Sequence, residues 1–193
     1  MLITQENFNK TLRQFTIVED MRDKLWDRCV RLLNDGYQIE AYILLLATWN
    51  FAYFRYSMKQ FDLKKFELTL KEINPIFNKF SNKKFEATDF DNSDIQIDIK
   101  TIYEKLREQA KQTGATKIMA LKNPQLFIMW DTEIRKIYKI YNNGGDDYLK
   151  FLKKMKNEFG HIKSINKRLP LAKAIDEYNY VIAEKRRAKL KNK

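Results

Sequence analysis

The sequence predicts an all-α fold, and three observations carry that expectation. Apolar residues recur at three- and four-residue spacing through most of the chain, the period of one face of a helix. Only 5 Gly and 3 Pro occur among 193 residues, little turn chemistry for a many-stranded fold. The one alternating stretch, Asp94 to Ile99 (DIQIDI), has no second strand to pair with, so it reads as the lead into a helix. A chain of this length suits a single globular helical domain over residues 1–193, with a basic tail from residue 184 and roughly eight to ten helices.

Taken in order, Ile3 to Phe15 gives a weak helical pattern with Thr4 at its cap. Val18, Met21, Leu25, Cys29 and Leu32 define an amphipathic helix from Val18 to Asn34, stopped by Asp35-Gly36. The segment Ile39 to Lys59 contains AYILLLATWNFAYF and shows almost no polar face before Arg55. Such a helix belongs at the centre of a bundle, covered on most sides. Its Trp49-Asn50 pair supplies either an internal polar contact or packing with a satisfied amide. Leu63, Phe66, Leu70 and Ile73 form the next stripe, with Phe77 and Phe80 beyond Pro75. Proline clashes with the preceding turn, so two short helices or a kink near Asn74 are expected.

Ser81 to Ser93 is polar and irregular and reads as a long loop. Ile99, Ile102, Tyr103, Leu106 and Ala110 then carry a helix. Further on, Trp130, Ile134, Ile137 and Tyr141 mark one helix face, with Asp131, Arg135 and Lys139 opposite and Asn142 to Gly145 as the stop. Asp146 is the expected cap of a helix whose face is Tyr148, Phe151, Leu152, Met155 and Phe159. The last helix starts at Pro170, a favoured first-turn residue, with Leu171, Ala174, Ile175, Tyr178 and Ile182 inward. Beyond Glu184 the chain is expected to fray.

Charge narrows the function classes. The formal net charge is +12, yet residues 1–60 hold 8 Lys+Arg against 7 Asp+Glu, so the excess lies downstream. A positive field of this kind suits a polyanion, and nucleic acid is the partner the charge suggests. Lys150 to Arg168 holds 7 Lys+Arg against one acid, and the tail EKRRAKLKNK adds six against one. Lys153, Lys154 and Arg168 are candidate phosphate contacts within it. The same residues also read as a solvated lysine-rich face. A single cysteine, Cys29, excludes a disulfide framework and four-cysteine metal centres, and a single histidine leaves no multi-histidine site. No metal and no small-molecule cofactor is expected. No basic-then-apolar signal opens the chain, and its longest apolar run, Ala41 to Trp49, is too short to span a bilayer. The expected location is intracellular, cytoplasmic or with the chromosome, without a membrane partner.

The most informative stretch is Thr113 to Ile137, TGATKIMALKNPQLFIMWDTEIRKI. Its glycine can end one helix and let another begin, and unpaired amides at a helix start favour an anion. Lys111, Gly114 and Thr116 are the candidates for holding a phosphate there, with Lys122 and Arg135 nearby. Lys117 and Asp131 fall at two successive helix starts, where a solvated lysine and a capping aspartate would also fit.

Gly114 to Arg135 resembles the central segment of the helix–hairpin–helix DNA glycosylase superfamily. There, a glycine-containing hairpin that grips DNA is followed by a helix and a catalytic aspartate in a pattern close to V-D-T-H-V-x-R. This chain reads W-D-T-E-I-R-K, with Glu133 in the histidine position and one glycine where the family has two. The resemblance implies a helix–hairpin–helix-like element, Asp131 as the catalytic carboxylate and Lys117 as the amine of bifunctional members, with Lys122 in reserve. It implies removal of a damaged base from DNA, with AP lyase action where the amine attacks. The flipped base would meet aromatic side chains, for which Trp49, Tyr53, Phe127 and Trp130 are candidates. A non-enzymatic nucleic-acid-binding protein and a helical protein-interaction module remain the alternative readings.

Overall fold

The computed structural model describes residues 3–18, 20–50, 54–56, 58–163 and 169–191. Among these every regular element is helical, so the predicted class holds. Thr4 caps α1 (Gln5–Val18), its hydroxyl accepting from Asn7 N–H at 3.3 Å. Phe8, Leu12 and Phe15 bury one face of α1. α2 (Asp20–Asn34) starts after Val18, so Val18 ends α1 instead of opening α2. The side chains of Val18 and Met21 lie outside the described set. Cys29 is buried as the spacing requires, Leu25 and Leu32 are only half-buried, and Trp26, outside the expected stripe, is buried too; Gly36 closes the helix at φ +88°, a conformation that only glycine adopts without strain.

α3 (Gln38–Trp49) is the expected central helix, with Ala41, Tyr42, Leu45 and Leu46 buried. It ends at Trp49, where Asn50 leaves helical geometry, and residues 54–56 are helical again, with the Phe54 N–H donating to the Asn50 carbonyl. A 3-10 turn, Met58–Gln60, leads to α4 (Leu63–Asn78), capped by Asp62. The expected break near Asn74 does not occur: α4 runs through Pro75. Pro75 lies in the last turn, so it forfeits a single bond, to the Lys71 carbonyl, with little helix beyond it to redirect, and Asn74 exchanges two amide hydrogen bonds with Gln38 on α3.

The loop to residue 92 sinks Phe80, Phe85 and Phe90 into the core. Its carbonyls at Phe85, Glu86 and Thr88 converge on the Lys156 ammonium. Asn92 then caps α5 (Ser93–Lys122), so DIQIDI is helical as read. α5 breaks at Lys111 (φ 57°, ψ 178°), three residues before the glycine expected to break it. Gly114 lies inside the second half. A Cβ there would stand 2.8 Å from Ala110 Cβ and 2.9 Å from Leu46 Cδ2, so its absence lets α5 close on α3.

Residues 123–131 form an irregular connection that carries Phe127 and Trp130 into the core. α6 (Thr132–Ile137) is shorter than the pattern promised. Lys139 at φ 57° turns the chain, and Tyr141 is exposed instead of facing inward. Arg135 is buried rather than solvent-facing: it packs on the Trp130 ring and donates to the Asn142 carbonyl at 2.9 Å, which ties down the turn. α7 (Gly145–Phe159) is capped by Gly144, whose N–H donates to Asp147, not by Asp146. Its predicted apolar face is buried in full. Each such Leu or Phe contributes about 1.5–3 kcal/mol of transfer free energy. α8 (Leu171–Lys191) packs on α1 through the stacked rings of Phe8 and Tyr178. It stays helical past Glu184, where fraying was expected, and Arg187 pairs with Glu184 one turn earlier on the same helix and with Asp131 at the cap of α6. No helix among the described residues is long and apolar enough to cross a membrane.

Candidate functional site

Lys117 and Asp131 line the same cavity, of about 260 Å³. The connection between them explains why. Thr116 and Trp130 clip the second half of α5 to the segment before α6. The Trp130 N–H donates to the Thr116 hydroxyl, and that hydroxyl lies 3.3 Å from the Trp130 carbonyl and 3.2 Å from that of Thr113. The indole N–H of Trp130 adds a bond to the Gln112 carbonyl. With these neighbours fixed, the next residue of each strand of chain, Lys117 and Asp131, opens on one space.

Both groups already have protein partners. Lys117 Nζ donates to the carbonyl of Trp49, the last residue of α3, where a cation offsets the negative end of the helix dipole. Asp131 caps α6, its Oδ1 accepting the Ile134 N–H at 2.8 Å. Its Oδ2 accepts from Arg187 at 2.7 Å. The Asp131 side chain nevertheless keeps 30% of its surface exposed, so it is not sealed in the core.

The opposite wall is α8. Lys173, Asp176, Glu177, Tyr180 and Arg187 line the cavity from it, at three-, four- and seven-residue steps along one face. Asp176 is buried, accepts the Met129 N–H through Oδ1, and leaves Oδ2 without a partner among the described residues. Burial pushes its carboxyl up to about 8, with Lys173 and the Met129 hydrogen bond only partly offsetting that cost. Lys173 sits 4.7 Å from the Trp26 ring and 5.7 Å from the Trp49 ring and pairs with Glu177 at 3.8 Å. Trp26 and Trp49 themselves stack at 5.1 Å.

The remaining sequence candidates distribute unevenly. Gly114 and Thr116 are buried, so neither presents a surface to a phosphate; one allows close helix packing and the other is the clip. Arg135 is likewise withdrawn from solvent. Lys122 is half-buried, its amine pushed down by desolvation, and it is not among the residues lining the cavity. Lys111 stands exposed at the break in α5. Lys153 pairs with Asp91 at 2.6 Å and Lys154 with Glu158 at 3.2 Å. Arg168 and Tyr53 lie outside the described residues. Of the aromatic candidates, Trp49 and Trp130 reach the cavity, whereas Phe127 is packed between Phe77 and Phe80. No three His, Cys, Asp or Glu converge as a metal site among the described residues.

The α8 residues were not singled out by the sequence. Their signal is a lysine and an aspartate three apart inside LAKAIDEYNY, a helix whose inward stripe is otherwise apolar. Charged residues on such a stripe need a cavity or a partner. Compared with family models, curated proteins and solved structures, the chain matches none.

Proposed function

We propose that this chain is a DNA glycosylase that removes a damaged base, with AP lyase action through Lys117. The observation that carries the reading is the single cavity lined by the Lys117 amine and the Asp131 carboxylate. Breaking an N-glycosidic bond builds positive charge on the sugar. An ionised Asp131 would stabilise that charge more in the transition state than in the ground state. Lys117, once deprotonated, would attack the anomeric carbon as the base leaves with the bonding electron pair and takes up a proton. The resulting amine adduct opens to an imine, from which strand cleavage follows by elimination. The net charge of +12 supports a polyanionic substrate. DNA binding must draw Lys117 away from the Trp49 carbonyl and loosen Arg187 from Asp131 for this chemistry to proceed.

A second reading is favoured by one observation: both oxygens of Asp131 are engaged, one by its own helix and one by Arg187. On that reading the chain binds nucleic acid without cutting it. Borohydride trapping on DNA carrying an abasic site separates the two. A covalent adduct that disappears in Lys117→Ala supports the lyase. Salt-dependent duplex binding with neither trapping nor base release supports the binding protein.

A further inference from the structure

Asp131 divides its two oxygens between two duties. Oδ1 accepts the Ile134 N–H and holds the start of α6, while Oδ2 accepts from Arg187 Nη2 at 2.7 Å. Losing the second bond would bare one oxygen and leave the carboxylate fixed by the first. Arg187 also donates through Nη1 to Glu184, one turn earlier on α8, which keeps the guanidinium beside the cavity when Asp131 lets go. Both partners can be reached from solvent: the Arg187 side chain keeps 35% of its surface and that of Asp131 30%. An ion pair this open to water contributes little, so a competing anion can replace it. A guanidinium fork fits a phosphate as well as it fits a carboxylate. The neighbourhood draws phosphate too. Lys185, Arg186 and Lys189 are exposed within one turn of Arg187. Lys136 first, and then Arg186 and Arg187, hold the Glu133 carboxyl below its usual range, which places these cations together beside α6.

We infer that Arg187 is a phosphate-operated latch on Asp131: it holds the carboxylate in the free chain and gives it up to take a backbone phosphate of the nucleic acid. The inference rests on the reading above, in which an ionised Asp131 acts on a sugar in this cavity, and adds how that carboxylate is regulated. With the latch closed, the guanidinium offsets the negative charge that a sugar cation needs. With a phosphodiester at the mouth, Arg187 changes partner and the charge on Asp131 is released. One anion replaces another, so the arginine stays paired throughout and only Asp131 changes state. A nucleoside without phosphates would meet a carboxylate that is still neutralised.

Binding alone tests this, without turnover. The probe is a fluorescent duplex with a tetrahydrofuran abasic site, which carries the phosphates but cannot react, titrated with the whole chain at fixed salt. Asp131→Asn keeps the cap and frees the arginine. It should tighten binding about twofold to fivefold, the range that an exposed pair can supply. Arg187→Gln should weaken binding, and in that background Asp131→Asn should leave it nearly unchanged. A mere loss of negative charge near DNA would instead give the same gain with or without Arg187. Arg187→Met keeps the stem of the side chain on α8 and completes the same cycle where the glutamine variant fails to fold. No gain from Asp131→Asn, an equal gain in both backgrounds, or no binding of the duplex overturns the inference. Failure of the glycosylase reading looks different: trapping on abasic DNA is absent while the coupling of Asp131 to Arg187 persists. Trapping without that coupling leaves the glycosylase and removes the latch.

Discussion

Asp131 and Arg187 form an ion pair of 2.7 Å between the cap of α6 and the far end of α8, across the mouth of the cavity that both line. The same carboxylate thus holds a helix start and a guanidinium, and the two roles separate by substitution. Asparagine caps a helix as well as aspartate does but carries no charge. Asp131→Asn should therefore leave stability within about 1 kcal/mol, since a pair this exposed contributes little. Asp131→Ala should cost about 1–2 kcal/mol through the lost cap. On the proposed glycosylase reading, base release should fall at least about a hundredfold in both, because the charge that would stabilise the sugar cation is gone. Urea unfolding and single-turnover assays on damaged duplex check the two halves independently.

Gly114 sits where α5 presses on α3. The methyl of Gly114→Ala would meet Ala110 Cβ at 2.8 Å and Leu46 Cδ2 at 2.9 Å, closer than packed carbons approach. Ala110 lies on α5 itself, just before the break at Lys111, and its methyl cannot swing aside, so the break must open while Leu46 on α3 gives way. A loss of about 1–3 kcal/mol is expected, read from the urea midpoint. A glycine serving only a surface turn would give no such loss.

Asp176 makes stability depend on pH in an unusual direction for a carboxyl. Its folded value is raised to about 8 while the unfolded one stays near 3.8. Between those limits the folded chain holds a proton that the unfolded chain has released, so stability falls as pH rises through the window. The slope is at most about 1.4 kcal/mol per pH unit, and it vanishes below the lower limit and above the upper one. Lys173 and Glu177 on α8, Lys117 and Asp131 across the cavity, and Tyr148 on α7 set the surrounding field. Asp176→Asn should remove this component. Urea midpoints at pH 5, 6.5 and 8 should show the unaltered chain losing ground to the variant at each step.

Lys156 bridges α7 to the loop before α5, donating at 3.1, 2.6 and 3.1 Å to the carbonyls of Phe85, Glu86 and Thr88. Desolvation pushes its amine down, but the three carbonyls keep the ammonium anchored. Lys156→Met retains the length of the side chain and removes the donors. Stability should drop by about 1.5 kcal/mol. Amide hydrogen exchange at Ala87 and Thr88 should speed up more than exchange in the core of α3.

The helices were legible because burial writes a period into the chain. Phe66, Leu70, Ile73 and Phe77 on α4, and Tyr148, Phe151, Leu152, Met155 and Phe159 on α7, are buried at the positions their spacing predicted. Local stops were less legible. Pro75 was expected to break a helix and does not, because its one lost hydrogen bond falls in a last turn braced by Asn74 and Gln38. Gly114 was expected to make a turn and instead makes room, a demand set by Leu46 on a helix far away in sequence. Thr116 and Arg135 look like surface polar residues in one dimension and are interior clips in three.

By itself, then, the sequence determined an all-helical chain, its core faces and a strongly basic balance, since each depends on residue type and local spacing. It also nominated an amine and a carboxylate, but not whether they meet. Only the tertiary structure decided that, through the hydrogen bonds of Thr116 with Trp130, and only the packing of α8 brought Asp176, Lys173 and Arg187 to the same space. Local periodicity records which side of a helix leaves water. It carries no information about which distant helix arrives there, because that is set by the fit of whole surfaces and not by any one segment.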